Sequence, residues 1–179
     1  VHVDDRSENG LSAGELESAA AAGLTRITTG LESGSQRVLD LMKKGTDLNR
    51  TSSFLRDSSD VGLSVRLTLI VGHPGETAND VHETADFLEK HQEFVERVVL
   101  NRFGLMEGTP IARAVEGNSG RFPEIRHGEL DSMTGYIECR NTRSSEKPHR
   151  DAVYRLMQVV FGINRRPLSK HAQALENVM

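Results

Sequence analysis

Two glycine-rich turns carry the residues best suited to binding chemistry. Residues 30–35 read Gly-Leu-Glu-Ser-Gly-Ser, and residues 72–77 read Gly-His-Pro-Gly-Glu-Thr. Glycines let a ligand approach the backbone closely, and a carboxylate such as Glu32 can accept hydrogen bonds from both hydroxyls of a ribose. The second turn lacks the Gly-Lys-Ser/Thr ending of a Walker A phosphate loop. Taken alone, each turn is equally typical of an ordinary strand-to-helix connection.

Metal and thiol chemistry has little support in the sequence. Cys139 is the only cysteine, so the chain cannot form an internal disulfide or supply a thiolate metal site by itself. The seven histidines contain no His-Glu-x-x-His pattern. Two alternatives stay open for each remaining candidate. Cys139 is an accessory thiol or a packed cysteine, and His73 is a ligand contact or a structural turn residue.

The elements that position these turns alternate between strand and helix. Ser12, Ser33, Asp47 and Thr77 occupy N-cap positions, and the first two are followed three residues later by Glu or Gln, as in a capping box. β-rich stretches precede or follow these helices at 1–6, 25–29, 64–71 and 97–103. This order predicts an α/β fold with a parallel sheet and right-handed crossovers.

The clearest predicted strand runs from Ser64 to Val71. Its apolar residues 65, 67 and 69 point to one side, and residues 66, 68 and 70 point to the other. In a barrel, one face of each strand meets the surrounding helices and the other faces an interior where a ligand can sit. The alternation therefore predicts a partial barrel with Thr68 on its interior face.

The sequence changes character after residue 116. Scattered glycines and charges over 117–146 predict a long loop. Pro148 opens a predicted helix that runs to about Ile163, with Val153, Leu156, Met157 and Val160 as its apolar face. Residues 165–167 break it before a last short helix. We therefore expect a barrel domain over 1–116 and a loop-rich, helical C-terminal extension over 117–179.

Composition excludes several classes of protein. No apolar run is long enough to span a membrane, and no secretory signal is present, so we expect a cytoplasmic protein. The net charge of −4 gives no reason to expect a nucleic-acid partner. Residues 1–3 already have the alternation of a strand, which suggests a piece of a longer protein.

Together, the two turns resemble the radical SAM superfamily. The segments that carry the resemblance are Gly30–Ser35, Val38-Leu39, Met42–Gly45, Ile70–Thr77 and Phe103–Pro110. They are most similar to the branch that contains the methylthiotransferases, the oxygen-independent coproporphyrinogen oxidases and the cobalamin-binding radical SAM proteins. The resemblance covers about residues 1–116. It implies strands 3–6 of a partial (β/α)6 barrel, with residues 1–6 as the third strand and 97–103 as the sixth.

The resemblance also implies a set of residues that bind S-adenosylmethionine (SAM). Glu32 would bind the ribose, Lys44 would pair with the SAM carboxylate, and Thr68 would lie near the ribose. The backbone of Ile70, Val71 and Gly72 would contact the adenine. A carboxylate suits a diol and a cation suits a carboxylate. Read from the sequence alone, Lys44 is also consistent with a solvated lysine at a helix end.

The chain departs from the family at the iron–sulfur motif. Radical SAM chemistry uses Cys-x3-Cys-x2-Cys to hold a [4Fe–4S] cluster that cleaves SAM to a 5′-deoxyadenosyl radical, and this chain has only Cys139. We therefore expect cluster ligands outside this chain, in a longer parent enzyme that also contains the N-terminal half of the barrel, acts on an unknown small molecule and in some relatives binds cobalamin. The fragment alone would be inactive.

Two other functions remain open at this point. The chain could be a cluster-free barrel-like fragment that binds a nucleotide or a partner chain, or an unrelated TIM-barrel enzyme. Cutting a barrel also exposes parallel strand edges at residues 1–6 and 97–103. Because exposed edges invite pairing, we expect a homodimer or poor solubility.

Overall fold

A computed structural model describes residues 2–3, 11–117 and 120–168. In this part of the chain the main sheet has four strands, each parallel to its neighbour and ordered β1-β2-β3-β4. The strands are β1 (His2–Val3), β2 (Arg26–Glu32), β3 (Ser64–Val71) and β4 (Arg97–Arg102). The predicted α/β class with a parallel, barrel-like sheet is confirmed. The rest of the predicted first strand lies outside the described residues.

Helices begin at most of the predicted caps. They are α1 (Ala13–Ala21), α2 (Gln36–Met42), α3 (Leu48–Asp60), α4 (Ala78–His91), α5 (Pro110–Glu116) and α6 (Lys147–Asn164). Ser12 and Thr77 each form a complete capping box, and the Asp47 side chain accepts from two backbone N–H groups. No helix among the described residues is long and apolar enough to cross a membrane.

The two faces of the main sheet differ as the alternation of β3 predicts. Val65, Leu67 and Leu69 are fully buried beneath the helices, whereas Arg66, Thr68 and Ile70 are half-buried on the opposite face. On β2, Ile27 and Leu31 join the same buried cluster as residues of α1, α3, α4 and α6. Burial of apolar surface contributes about 25 cal/mol per Å² to stability, and the surface buried on this face holds the sheet and its helices together.

The predicted capping box at Ser33 is wrong. Helix α2 begins after Ser35, and no side chain caps its first turn. The Ser33 hydroxyl is buried and lies 3.2 Å from Oγ1 of Thr84 on α4, where it also accepts from the Ser35 backbone N–H at 3.1 Å. The Ser33 hydroxyl, which the local pattern predicted to cap α2, therefore bonds to Thr84 on α4 instead.

The predicted loop over 117–146 is also wrong. Strands β5 (Leu105–Met106), β6 (Ile125–Asp131) and β7 (Tyr136–Asn141) form an antiparallel sheet in the order β5-β7-β6. Its strand signal is weak, because Ile125 is the only buried residue of β6 and Ile137 the only one of β7. The part of the chain after residue 116 therefore contains β-structure that the sequence pattern did not predict.

Helix α6 covers α4 and β4. It ends close to the predicted position, and five of its residues are buried: His149, Ala152, Leu156, Val160 and Ile163. Met157 was expected on the apolar face, but the structure leaves it 55% exposed. The predicted last short helix lies outside the described residues.

Candidate functional site

The carboxyl ends of β2 and β3 meet at one edge of the main sheet. Gly30 pairs with Thr68 and Glu32 pairs with Leu69, so a β-bulge separates the two pairs. Glu32 has a φ of 63°, a left-handed conformation that is uncommon for a residue with a side chain. A bulge re-aims the side chain that follows it. The local strain at Glu32 is thus linked to the direction of its carboxylate.

Glu32 and Lys44 are brought together although they lie on different elements. Lys44 Nζ donates to Glu32 Oε1 at 3.1 Å, and the two side chains are 29% and 16% exposed, respectively. Lys44 reaches this position because α2 ends in a left-handed Lys43 with a φ of 54°. The two charges predicted to contact SAM therefore pair with each other in this structure.

Gly30 provides the space for this ion pair. A Cβ added to Gly30 would lie 2.4 Å from Glu32 Oε1 and 3.2 Å from Lys44 Nζ. Thr68, beside Gly30 in the register of the sheet, is half-buried. Thr68, Glu32 and Lys44 therefore occupy one region at the carboxyl ends of β2 and β3, where ligands bind in α/β sheets.

The backbone of Val71 and Gly72 is held by other parts of the chain. The Gly72 N–H donates to Glu76 Oε2 at 2.7 Å, and Asn141 Nδ2 donates to the Gly72 carbonyl at 3.2 Å. The Val71 carbonyl accepts from the Phe103 N–H at 2.9 Å. Each carbonyl keeps a second lone pair that a ligand could use. Glu76 and Asn141, which the sequence did not single out, therefore position this turn.

The other end of the turn is anchored at Gly75. Its N–H donates to Glu124 Oε1 at 2.6 Å, and its carbonyl accepts from Arg37 Nη2 at 2.8 Å. Glu124 is buried just before β6, whereas Arg37 extends from α2. A buried carboxylate is tolerated where it accepts hydrogen bonds from the backbone. The turn is thus held by α2, which precedes it in the chain, and by the segment before β6, which follows it.

Glu76 also meets a histidine from the C-terminal helix. Nε2 of His149, on α6, lies 3.4 Å from Glu76 Oε2, and both side chains are almost completely buried. Nδ1 of His149 has no hydrogen-bond partner among the described residues. The contact joins residues 73 positions apart, and no pattern in a single sequence indicates such a pair.

His73, in the same turn, is packed in the protein. It is 5% exposed, and its ring meets Phe103 edge-on with centroids 5.2 Å apart. Burial lowers the pKa of His73, so the neutral imidazole is favoured. These contacts favour the structural interpretation of His73 over a ligand contact.

Asp80 ties α2 to α4 below the site. It accepts from Arg37, from the Thr77 hydroxyl at 2.6 Å and from the Ser35 hydroxyl at 2.8 Å. Burial alone would raise the pKa of Asp80, but the hydrogen bonds from Arg37, Thr77 and Ser35 outweigh it and lower the pKa to about 2. Asp80 is therefore ionised at neutral pH.

No metal-binding cluster is found in the described part of the chain, where no three His, Cys, Asp or Glu side chains lie in a suitable arrangement. Cys139 is half-buried and packs against the cluster formed by Leu105, Ala112 and Ile137. The residues present therefore do not fit an iron–sulfur cluster. The Glu32–Lys44 region, by contrast, offers the charge types that suit the ribose and the carboxylate of SAM.

Comparison with known proteins relates part of the chain to one superfamily. The sequence profile of the radical SAM superfamily matches residues 7–88. The ribosomal protein uS12 methylthiotransferase RimO of Cytophaga hutchinsonii is 38% identical over 64 residues, which are 35% of this chain and 15% of that protein. RimO of Desulforudis audaxviator is 40% identical over 104 residues, 56% of this chain and 22% of that protein.

A solved structure has the same fold. The radical SAM methyltransferase TsrM of Kitasatospora setae superposes with a TM-score of 0.66 at 15% identity, over 89% of this chain and 35% of TsrM. TsrM has been solved with a tryptophan substrate and a SAM analogue, and with cobalamin and a [4Fe–4S] cluster. This chain spans less than two fifths of these proteins. Residues 7–88 therefore match the radical SAM superfamily by sequence, and the fold of the described residues agrees with that of TsrM.

Proposed function

We propose that this chain is the SAM-binding part of a radical SAM enzyme. In this proposal Glu32 binds the ribose hydroxyls, Lys44 pairs with the SAM carboxylate, and Thr68 lies beside the ribose. The backbone of residues 70–72 contacts the adenine. The observation that carries the proposal is the Glu32–Lys44 pair at the carboxyl ends of β2 and β3, in the space that Gly30 leaves.

A partly exposed ion pair can give way to a ligand. Both side chains keep some contact with solvent, so a ligand can replace the contact between Glu32 and Lys44 without leaving either charge fully buried. A ribose diol and a carboxylate would then replace the partner that each side chain loses. The pair keeps both side chains at the sheet edge until SAM arrives, which reduces the ordering needed on binding.

The iron–sulfur cluster requires residues beyond this chain, because Cys139 is its only cysteine. Bound to a [4Fe–4S] cluster, SAM supplies a 5′-deoxyadenosyl radical in this superfamily. We propose that the cluster ligands, the other half of the barrel and, as in TsrM, a cobalamin site belong to a longer protein. The small share of each relative that this chain spans is consistent with that proposal.

Isothermal titration of the chain with SAM tests the binding proposal. We expect Glu32→Gln and Lys44→Met each to weaken SAM binding about tenfold, since each removes a charge-assisted contact. Glu83→Gln and Lys90→Met, exposed on α4, are matched controls that should bind SAM normally. If SAM does not bind, or if the site variants bind as tightly as the controls, the assignment is wrong.

A cluster-free protein that binds a nucleotide or a partner chain is the second candidate, and the single cysteine favours it. The DNA upstream of the codon for Val1, read in frame, distinguishes the two. A Cys-x3-Cys-x2-Cys motif there would support the radical enzyme. A stop codon without that motif would support the cluster-free protein.

We also propose that the isolated chain dimerises through its sheet edges. Within the described residues, β1 pairs with β2 alone and β4 with β3 alone, so each leaves one edge without a strand; on β4, the Asn164 side chain bonds to the N–H and the carbonyl of Val98, which leaves β1 as the more open edge. Strand edges of this kind pair readily with another chain. Sedimentation velocity across a range of concentrations should reveal a dimer, whereas a monomer at every concentration would contradict it.

A further inference from the structure

A cavity of about 630 Å³ lies between the ends of β3 and β4, the β6–β7 hairpin and the start of α6. This volume is within the range of about 300–1,000 Å³ that small-molecule sites occupy. Gly72 lines it, so the cavity adjoins the turn that Glu76 and Asn141 hold. The Glu32–Lys44 pair is not among its lining residues.

The lining of this cavity is strongly basic. Arg102, Arg140 and Arg150 line it, and among the described residues no aspartate or glutamate does. In the part of the chain that the structure describes, none of these three guanidinium groups forms an ion pair or a side-chain hydrogen bond. In a chain of net charge −4, three such arginines at one cavity form a local concentration of positive charge.

The start of α6 adds to this potential. His149 and Arg150 lie in the first turn of this 18-residue helix, whose N-terminal end carries a partial positive charge. His149 is 3% exposed and lines the cavity, and its Nδ1 has no partner among the described residues. Ser144, just before the helix, offers a hydroxyl to the same cavity.

The remaining wall is aromatic and apolar. Phe103, Tyr136, Tyr154 and Met157 line the cavity. Tyr154 is 65% exposed, Met157 is 55% exposed and Tyr136 is 42% exposed, which is unusual for large apolar side chains that lie together. Tyrosine and methionine surfaces next to arginines suit a flat apolar group attached to an anion.

We propose that this cavity binds an anionic small molecule with a flat, apolar body, in which a carboxylate or phosphate meets the arginines and the body packs on the tyrosines. Within the proposed radical SAM function, this molecule is the substrate, held beside the turn that contacts the adenine. The assignment as substrate rests on the proposed function, but the binding itself does not.

Naphthalene probes test the binding directly. The chain contains no tryptophan, so the fluorescence of 2-naphthoate, 1-naphthyl phosphate and the neutral 2-naphthamide can be followed without that background. We expect at least one of the two anions to bind about tenfold more tightly than the amide, because charge-assisted hydrogen bonds are about twice as strong as neutral ones. Whether the carboxylate or the phosphate binds more tightly identifies the preferred anion.

Substitutions locate the probe. Arg140→Gln and Arg150→Gln should each weaken binding of the preferred anion about fivefold to tenfold. Arg155→Gln removes the same charge from α6 outside the cavity and should change the affinity less than about twofold. Thermal melting of each variant checks that folding is retained.

Three results would overturn the proposal: no binding of either anion, equal binding of anion and amide, or arginine variants that bind like the unmodified chain. Glu32→Gln should leave the naphthalene affinity unchanged. Loss of SAM binding is therefore measured in the SAM titration, and loss of anion binding in the cavity is measured in the naphthalene titration.

Discussion

Glu76 and His149 connect the turn after β3 to the C-terminal helix. Glu76 Oε2 lies 3.4 Å from His149 Nε2 and also accepts from the Gly72 N–H at 2.7 Å. The same oxygen therefore touches both the backbone proposed to contact adenine and the helix that lines the basic cavity. The shape of that turn depends on residues after position 116 as well as on the barrel.

Removing this carboxylate should destabilise the fold. Glu76→Ala leaves the buried His149 side chain and the half-buried Gly72 N–H without their shared partner, which costs about 1–3 kcal/mol. Urea denaturation measures the loss. Glu83→Ala, an exposed residue on the following helix, should change the free energy of unfolding by less than about 0.5 kcal/mol. Equal unfolding midpoints for the two variants would contradict the role given to Glu76.

Acid should remove a stabilising contribution of Asp80. Its pKa is about 2 in the folded protein, against 3.8 as its ordinary value. Because the pKa is lower in the folded protein, ionised Asp80 stabilises the fold at pH values above the pKa of the unfolded state. This contribution disappears as the pH falls through the pKa of the folded state. The contribution is about 2 kcal/mol and is lost between about pH 5 and pH 2.

The pH dependence is measured by urea unfolding of the unmodified chain and of Asp80→Asn. We expect the difference in their unfolding free energies to shrink as the pH falls through that range. Asp86→Asn, in an exposed ion pair with Arg155, should show a small difference at every pH. A constant gap between the unmodified chain and Asp80→Asn would show that Asp80 does not stabilise through its charge.

Gly30→Ala should impair SAM binding with little loss of stability. The added methyl group would meet the ends of two flexible side chains, Glu32 and Lys44, so these move rather than the backbone. We expect SAM affinity to fall about tenfold by isothermal titration, while the unfolding free energy changes by less than about 1 kcal/mol. Unchanged SAM affinity would mean that the Glu32–Lys44 geometry is not needed for binding.

Gly34→Ala should have the opposite profile. Its methyl group would lie 2.6 Å from the Thr84 Cα and 2.8 Å from the Phe87 Cβ, so α4 itself would have to shift. Overpacking of this kind costs about 1–3 kcal/mol, measured by urea denaturation. Gly14→Ala, with no atom within 4 Å of its added methyl, is the control and should not destabilise. If Gly34→Ala leaves the free energy of unfolding unchanged, α4 can move away from residue 34 at little cost.

Local patterns predicted much of the barrel. The alternation of β3 indicated which side chains are buried, because the period of a strand is a property of the backbone. The caps of α1, α3 and α4 lie where Ser12, Asp47 and Thr77 predicted, since a cap bonds to residues only two or three positions away. The family resemblance of the two glycine-rich turns is confirmed as well.

Longer-range relationships were beyond the sequence. Ser33 was predicted as a cap but bonds to Thr84, 51 residues away. The β6–β7 hairpin was predicted as a loop, because most of its side chains are exposed and its strands lack a buried stripe. A single sequence also gave no indication that Glu76 meets His149.

The sequence by itself determined the order of strands and helices up to β4, the buried face of β3 and the radical SAM match of residues 7–88, because each depends on residues close together in the chain. Only the tertiary structure decided that Glu32 pairs with Lys44, that Glu76 is buried against α6, and that three arginines surround one cavity. Those contacts join residues from separate elements, and their distances are set by how the helices and the hairpin pack on the sheet.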